Sequence, residues 1–580
     1  MSHKYLFIFT IGPVQSFIAQ ARKTQDLYAG SYLLSYLTDH AIDKLKLKAT
    51  SCEIIFPYEH LKSKPSRFTA SIETEDVKRL GNELKQCVMD EFESIADAGV
   101  GIVKRGVLTS FKQQIRNHLQ VTWVALPLEE EKYPTMYRDL EANLYAVKNV
   151  RKFEQLVESG RKCSLCGERD VLFYRGMKRA FLRNDAISLN HQPLRYMGNG
   201  EGLCAVCLTK RYAGDYFHSG YERDFPSTAA IALMGSLDKL DPNLLADYKF
   251  LFGGNFDDVL YYKDNLTLEY FKKYSFPTEK LDEAARQLSA IYAVKKQKNL
   301  RFYKYYAIIM FDGDNMGNWL SGKYLKDTTQ LMDFHKKMTV SLSYFSDNVR
   351  NLINKPKGRV VYAGGDDSLA LLNLDHLLPV IHDLRCAFPH FETLGHDVAG
   401  NMASSASCGI VIAHYKTPFA EALEWVRMVE EEAKEIDAQK DAFAIAVLKH
   451  SGEIRKAVMK WTYNDKSTTA LIEEIVKALK DEEFSNTFIK SLRAEFGGLL
   501  DEKGKYGDPP LIVTEIRRLI DRSCTMTRNE SEDKEAFAWR RKQTVDDMIS
   551  RVTSLYTSST SAENFFSLLD IADFLSREAD

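Results

Sequence analysis

A four-residue turn between two apolar segments constrains this fold more than any other feature of the sequence. Residues 359–362 and 369–372 have the composition of short β-strands, and Gly364-Gly365-Asp366-Asp367 lies between them. Adjacent glycines supply the positive φ angles of a tight hairpin and let a backbone or a phosphate come close. We therefore predict a hairpin with both aspartates at its tip, where at least one carboxylate points away from the sheet. Alone, such a turn is an ordinary hairpin.

A second acidic position precedes the hairpin. Residues 305–311 form an apolar run typical of a buried strand, and this run leads directly into Asp312. A carboxylate at the end of one core strand and two more on a neighbouring hairpin could hold two divalent cations about 4 Å apart. That arrangement activates a hydroxyl group and stabilises a leaving pyrophosphate, as polymerases and nucleotidyl cyclases require. We predict that Asp312, Asp366 and Asp367 bind Mg²⁺ or Mn²⁺ and are catalytic.

The elements predicted around these aspartates follow the order strand, helix, strand, strand, helix, strand. Helices are expected near 331–354 and 374–385, and the last strand, at 407–414, precedes a helix over 417–435. This is the order of a ferredoxin-like palm, an antiparallel sheet with helices on one face. The fold class is therefore α+β.

The first 150 residues predict another α+β unit. Strands are expected at 5–11, 53–57 and 120–126, a helix at 15–37 with an interruption near 29–31, and a long helix at 73–115. The polar residues of the first helix are expected to form a solvated face unless another domain packs there; they are Gln15, Arg22 and Lys23.

Two C-x-x-C pairs form the strongest local motif, and they are Cys163, Cys166, Cys204 and Cys207. Four thiolates at this spacing predict a tetrahedral structural Zn²⁺ site without an open coordination position. The alternative is two redox or buried thiol pairs. The total of nine cysteines is odd and argues against a disulfide framework.

Basic side chains surround the cysteine pairs. Such a charge run is usually a solvated face, and the alternative is contact with a phosphate backbone. The residues are Arg151, Lys152, Arg161, Lys162, Arg169, Arg175, Lys178, Arg179 and Arg183.

Composition limits the remaining choices. The 580 residues carry a net charge of −2, which gives no overall nucleic-acid signal and leaves RNA contacts to local patches or partner subunits. No apolar run reaches the roughly 20 residues that a membrane span needs, and we interpret the opening run as a strand and the protein as cytoplasmic. We predict four domains: a palm-like domain at 1–150, a zinc-binding and helical connector domain at 151–299, a catalytic palm at 300–455 and a helical domain at 456–580.

Taken together and in order, these motifs resemble the large polymerase-cyclase subunit of type III CRISPR effector complexes, and most of all its III-B (Cmr) branch. The resemblance covers nearly the whole chain. It rests on residues 11–18, 21–24 and 30–35, the two cysteine pairs, residues 311–317, Gly364-Gly365-Asp366-Asp367, and residues 409–416.

The resemblance implies two facing palm domains with ATP bound in the cleft between them. Such an enzyme joins a 3′-hydroxyl to an α-phosphate and makes cyclic oligoadenylates for antiviral defence when its complex binds target RNA. Its implied partners are the other Cmr subunits, crRNA and target RNA. By this resemblance Asp312, Asp366 and Asp367 hold the metals, and Asp314 is an auxiliary. The resemblance also places Lys434 at the triphosphate beside Gly364 and Gly365, although no Gly-Arg-Asn follows this lysine here. Without the resemblance, the position of Lys434 predicts only a surface ion pair.

Three other functions are compatible with parts of this pattern. The enzyme could join AMP to another acceptor such as S-adenosylmethionine, or the palm could be idle in a subunit that organises crRNA and target RNA. A free-standing diguanylate cyclase is disfavoured because Ser368-Leu369 follows the hairpin aspartates. The sequence starts at the first palm, without the upstream His-Asp nuclease domain of many family members, and we therefore expect no metal-dependent DNase activity.

Overall fold

The computed structural model describes residues 2–101, 109–150, 160–192, 196–496 and 509–577, and its first unit is organised by β1 (His3–Gly12). The apolar run of this strand is buried on both faces, which places it in the middle of a sheet. The sheet is antiparallel and has the order β2-β3-β1-β4. The other strands are β2 (Ser51–Phe56), β3 (Arg67–Thr74) and β4 (Gln120–Pro127).

Five helices accompany this sheet: α1 (Gln15–Ala19), α2 (Thr24–Lys48), α3 (Val77–Gly101), α4 (Thr109–Arg116) and α5 (Tyr133–Asn149). The predicted interruption near 29–31 is wrong, because the chain breaks between α1 and α2 and Gly30 lies inside α2. A Cβ on Gly30 would lie 3.1 Å from the Ile18 Cα, so the glycine allows close packing of α1. Where one helix was predicted at 73–115, the chain instead contains the last residues of β3, followed by α3 and then α4. Residues 102–108, between the two helices, lie outside the described residues.

The zinc-binding and connector region contains short strands and helices. They are β5 (Phe173–Tyr174), β6 (Ile187–Ser188), β7 (Gly202–Leu203), α6 (Ala205–Tyr212), α7 (Thr228–Leu237), α8 (Pro242–Phe250), α9 (Leu268–Tyr274) and α10 (Leu281–Gln297). The helices of the connector pack around their own apolar cluster, in agreement with the predicted helical character.

The second palm contains the six-stranded sheet β9-β10-β8-β11-β12-β13. Its strands are β8 (Tyr305–Gly313), β9 (Gly358–Ala363), β10 (Ser368–Leu372), β11 (Ala406–His414), β12 (Ala442–Leu448) and β13 (Ile454–Lys460). Its helices are α11 (Met316–Leu320), α12 (Leu331–Leu352), α13 (Leu377–Ala387) and α14 (Phe419–Lys434). The predicted ferredoxin-like order is confirmed over β8 to β11, and α14 then connects β11 to the parallel strand β12.

The expected division between residues 455 and 456 falls inside β13. Beyond this strand the chain is largely helical, as expected, apart from the small hairpin β14 (Thr462–Tyr463) and β15 (Lys466–Ser467). The helices are α15 (Thr468–Lys480), α16 (Thr487–Phe496), α17 (Pro509–Ser523), α18 (Lys534–Ser558) and α19 (Ala562–Arg577).

The hydrophobic cores are shared between these units. One cluster combines Leu6 and Ile8 of β1 with α5, the second palm and the C-terminal helices. A second cluster joins the first sheet to the cysteine-bearing segment. The first palm therefore packs on both neighbours. Across the described residues, no helix combines the length and apolar character that crossing a membrane requires.

Candidate active site

Strand pairing places the three predicted catalytic aspartates at one end of the second sheet. Asp312 is the penultimate residue of β8, and Asp366 and Asp367 lie in the loop between β9 and β10. β8 pairs antiparallel with β10, with Phe311 opposite Ser368. The Gly313 amide donates a hydrogen bond to the Asp366 carbonyl oxygen at 3.2 Å. The residues predicted from two separate motifs are thus neighbours.

Glycines shape the hairpin. Gly365 has a φ of +114°, a region that favours glycine, and the Gly364 amide donates to the Asp367 carbonyl oxygen at 3.1 Å. A Cβ on Gly313 would lie only 3.1 Å from the Asp366 Cβ. The tight turn and the close approach of β8 therefore both depend on residues without a side chain.

Lys434, the last residue of α14, contacts the site directly. Its ammonium pairs with the Asp312 carboxylate and lies 2.6 Å from Glu430 Oε1. Burial alone would lower the pKa of Lys434, but the charges of Asp312 and Glu430 raise it above the ordinary value. The predicted ion pair of Lys434 is therefore made with a site residue, and the lysine is a protonated cation at one edge of the acidic cluster.

The aspartates repel one another in a half-buried environment. Burial and the charge of Asp312 raise the pKa of Asp366 to about 6. Burial raises the pKa of Asp367 as well, and the charges of Asp366 and Asp312 add to the rise. Hard oxygen ligands crowded in this way fit Mg²⁺ or Mn²⁺, because a divalent cation offsets the repulsion.

The carboxylates of Asp312, Asp366 and Asp367 lie around the end of the sheet, but their oxygens do not converge on a single metal position. Within the part of the chain that the structure describes, four cysteines form the one group of three or more potential ligands whose atoms all lie within 4.8 Å of one another. Asp312 is instead engaged by Lys434. Binding of two metals would therefore require the aspartate side chains to move toward each other.

Asp314 is not brought to these three residues. Its side chain is buried and accepts hydrogen bonds from the Ser405 and Ser407 hydroxyls, both at 2.9 Å, and from the Asp441 amide at 3.0 Å. These contacts join the end of β8 to the start of β11 and to the segment before β12. Asp314 thus acts as a structural acceptor, and its auxiliary role in the site stays a prediction.

The four cysteines converge on a site that could hold a metal such as zinc. The Sγ atoms of Cys166 and Cys204 are 3.8 Å apart, about the separation that Zn–S bonds of about 2.3 Å give in a tetrahedron. Gly167 supplies the left-handed residue of the first turn, with φ +67°. Cys204 caps α6 by accepting from the Cys207 amide at 3.4 Å. The site packs against the first palm, away from the aspartates.

Most of the described basic residues around the cysteines have partners within the protein. Lys162 and Arg183 both pair with the buried Asp170, and Arg169 pairs with Glu168. Arg151 and Lys152 lie outside the described residues. A phosphate-backbone contact at this surface stays a prediction.

A separate cleft of about 1470 Å³ lies between the α1–α2 connection, the zinc-binding region, the connector and the start of α14. None of the three aspartates lines it. Lys23 does, and the neighbouring Asp26 forms a buried ion pair with Arg211 of α6. Gln15 and Arg22 are exposed, in agreement with the solvated face expected for the first helix, and Lys23 is half-buried at the cleft.

Sequence reasoning missed the residues that the first palm contributes near the hairpin. The Ser63 carbonyl oxygen would lie 3.7 Å from a Cβ on Gly364, and Arg350 of α12 donates to the Ser63 hydroxyl at 2.5 Å. Arg67 begins β3 a few residues later. None of these residues belongs to a motif, and only the register of β1 and β3 would have placed Arg67 at this end of the sheet.

Comparison with known proteins agrees with this architecture. Residues 305–444 match the family model described as Cas10/Cmr2, second palm domain, and residues 6–123 match that of CRISPR-associated protein Cmr2, N-terminal. The chain is also 25% identical to the CRISPR system Cmr subunit Cmr2 of Pyrococcus furiosus. Two segments of the chain thus match domains of Cas10/Cmr2 proteins. The alignment covers 80% of this chain and 64% of the archaeal Cmr2, so the chain spans less than two thirds of that relative.

Two solved structures share the fold. The type III-B Cmr-beta structure bound to cognate target RNA aligns with a TM-score of 0.63 at 14% identity, over 99% of this chain and 83% of that chain. The apo state of Cmr-beta aligns with a TM-score of 0.61 at 15% identity, over 96% of this chain and 82% of that chain. The α+β palm architecture is therefore common to all three.

Proposed function

We propose that the second palm is a nucleotidyltransferase that converts ATP into a cyclic oligoadenylate. The observation that carries this proposal is the meeting of Asp312 with Asp366 and Asp367 at one end of the sheet, next to Lys434. The match of residues 305–444 to the second palm domain of Cas10/Cmr2 supports the same chemistry. We further propose that the chain acts within a Cmr-type antiviral complex that contains crRNA and is activated by target RNA.

Each site residue has a defined task in this proposal. Asp312, Asp366 and Asp367 would hold Mg²⁺ or Mn²⁺, which when bound lowers the cost of charge development at the attacking hydroxyl and at the leaving pyrophosphate. Lys434 keeps its proton, and its ammonium is placed to leave the ion pair with Asp312 and bind a phosphate oxygen of the nucleotide. Gly364 and Gly365 leave room for the nucleotide above the hairpin.

The test is product analysis by the reconstituted complex with labelled ATP, Mg²⁺, and cognate or non-cognate RNA. We expect Asp366→Asn/Asp367→Asn to reduce synthesis by on the order of a hundredfold or more, while complex assembly and RNA binding stay unchanged. Asp347→Asn is the control, because this partly exposed carboxylate on α12 forms its ion pair with Lys62. Equal synthesis by the double variant would refute the assignment. A product that requires added S-adenosylmethionine would replace the cyclic oligoadenylate.

A further inference from the structure

The buried face of α14 carries one acidic side chain. Glu430 is 8% exposed, and it follows Val426 by four positions and precedes Ala433 by three, so it belongs to the stripe that packs on the sheet. A carboxylate in such a stripe costs stability unless a cation lies against it. The other six buried residues of this helix are apolar, and they are Phe419, Ala422, Leu423, Val426, Val429 and Ala433.

The sheet beneath α14 leaves room for this carboxylate. A Cβ on Gly409 of β11 would lie 2.7 Å from the Glu430 Cβ, so the glycine lets Glu430 lie directly on the strand. On the neighbouring strand β8, Met310 lies opposite Gly409 and packs against the apolar cluster formed with α14. Because alternate residues of a strand share a face, Asp312 points to the same side of the sheet as Met310. Glu430 and Asp312 therefore share the face that α14 covers.

Lys434 connects these two carboxylates. It follows Glu430 by about one helical turn, and its Nζ lies 2.6 Å from Glu430 Oε1 while it also pairs with the Asp312 carboxylate. A glutamate four residues before a lysine is the favourable orientation for such a pair on a helix. The ammonium thus lies between a carboxylate at the proposed metal site and a carboxylate on the helix that carries the lysine.

The two partners of Lys434 differ in their relation to a divalent cation. An ammonium against Asp312 opposes a divalent cation on the same carboxylate, because like charges repel strongly at this distance. Glu430 is not among the proposed metal ligands, and it lies on the same helix as the lysine. Lys434 can therefore give up Asp312 and keep Glu430 without any movement of α14.

We propose that Glu430 is a positioning residue that receives the Lys434 ammonium when Asp312 turns to a divalent cation. This inference rests on the proposed function, because it takes Asp312 and the two hairpin aspartates as the metal ligands. Glu430 lowers the cost of separating Lys434 from Asp312, and it keeps the ammonium at the edge of the site. An ammonium has three donors, so its contact with Glu430 leaves donors for a bound ligand.

Equilibrium binding of Mn²⁺ to the full chain without nucleotide tests this role, with free Mn²⁺ measured by electron paramagnetic resonance. Binding that persists in Asp366→Asn/Asp367→Asn is subtracted. We expect Glu430→Gln to bind Mn²⁺ about tenfold more weakly, because Lys434 then has no second carboxylate to receive it. Lys434→Gln should bind Mn²⁺ about tenfold more tightly, since no ammonium competes for Asp312.

A matched control and a double variant separate this role from the effect of charge alone. Glu424→Gln removes the same charge from an exposed position of α14, about 15 Å along the helix from Lys434, and should change Mn²⁺ affinity less than about twofold. Glu430→Gln/Lys434→Gln should bind Mn²⁺ as Lys434→Gln does, because no ammonium is left for Glu430 to receive. A further tenfold loss in the double variant would mean that Glu430 acts on the metal through space, and would overturn the proposal.

A crystal structure of the full chain grown with Mn²⁺ gives a second readout, and it needs no variant that could fail to fold. We expect the Lys434 Nζ within about 3 Å of a Glu430 oxygen and no longer in contact with Asp312. An ammonium that still contacts Asp312, or that has left both carboxylates, would overturn the proposal. A folded Glu430→Gln chain that binds Mn²⁺ as tightly as the unaltered chain would do the same, because Glu430 would then serve packing only.

These outcomes are separable from those of the proposed function. Mn²⁺ binding that depends on Glu430, without any nucleotide product, would keep this role and reject nucleotidyl transfer. Equal Mn²⁺ binding by the unaltered chain and by Glu430→Gln, with nucleotide synthesis intact, would reject this role and leave the proposed function in place.

Discussion

His335 is a single residue that joins the two palms. It lies buried in α12, and its Nε2 donates to the Leu320 carbonyl oxygen at 2.8 Å. Because a carbonyl only accepts, the proton resides on Nε2, and Nδ1 accepts from the Tyr133 hydroxyl of α5 at 3.0 Å. Burial lowers the pKa of His335 to about 4. The folded protein therefore holds this imidazole neutral through the physiological range.

This lowered pKa predicts a loss of stability on acidification. In the unfolded chain the imidazole takes up a proton as the pH falls through about 6.5, whereas the folded site does so only near 4, so stability decreases between these values. The histidine accounts for about 2 kcal/mol between pH 7 and pH 5. In urea unfolding, the free energy of unfolding of His335→Gln should fall less between pH 7 and pH 5 than that of the unaltered chain, by about this amount. His218→Gln, at an exposed position, is the control. An equal loss in both variants would contradict the assignment.

Asp312 and Asp314 show how neighbouring identical residues acquire different roles. Asp312 lies at a half-buried strand end, where it meets a lysine ammonium and two other carboxylates. Asp314 lies just past the strand, where hydroxyl and amide donors occupy its oxygens. The carboxyl group is the same, and the local donors decide whether it remains available to a ligand.

At the scale of elements, the packing of α14 on β11 positions Lys434. A Cβ on Gly409 of β11 would lie 2.4 Å from the Val426 carbonyl oxygen and 2.7 Å from the Glu430 amide nitrogen. No side chain fits between this strand and this helix. Because α14 also carries Lys434, its distance from the sheet sets the position of the ammonium beside Asp312.

Gly409→Ala should therefore displace α14 and disturb the site. We expect a destabilisation of about 1–3 kcal/mol from overpacking and at least a tenfold loss of nucleotide synthesis, since Lys434 moves away from Asp312. Thermal unfolding and product analysis measure the two effects. Gly254→Ala is the control, because no described atom lies within 4 Å of the added Cβ. Full synthesis by a folded Gly409→Ala chain would show that the position of α14 is not critical.

The elements that were predicted from sequence have strong local signals. The hairpin follows from two glycines between apolar runs, and β8 follows from its continuous buried run. β12 was missed because a seven-residue buried run does not distinguish a strand from a buried helical segment. β3 was missed because its alternating polar residues lie next to the acidic start of the predicted long helix. Local pattern therefore recovers the elements with turn signals and loses those without them.

The candidate site was predictable only on the side of the second palm. Asp312, Asp366 and Asp367 come from motifs whose strand context indicates their direction. Ser63 of the first palm reaches the hairpin only because the first palm packs on α12, and no local sequence pattern encodes that docking. The cysteine site, by contrast, was fully predictable because spacing and ligand type define it.

At the scale of the whole molecule, the two palms are coupled at the hairpin. Arg350 of α12 donates to the Ser63 hydroxyl of the first palm and, at 3.4 Å, to the Ala363 carbonyl oxygen at the end of β9. Burial lowers the pKa of Arg350. An ion pair between Lys336 and Glu53 at 2.5 Å adds a second link between the palms. These contacts connect the first palm to the end of β9, where the loop that carries Asp366 and Asp367 begins.

A double-mutant cycle measures this coupling. Ser63→Ala and Arg350→Gln each remove the same hydrogen bond, so we expect the two changes to be non-additive by about 1–2 kcal/mol in the free energy of unfolding. Nucleotide synthesis should fall in each single variant and fall no further in the double variant, because the hairpin is already released from the first palm. Lys62→Gln is the control, since its exposed pair with Asp347 contributes at most about 1 kcal/mol. Strictly additive changes in stability and in synthesis would mean that the first palm packs beside the hairpin without constraining it.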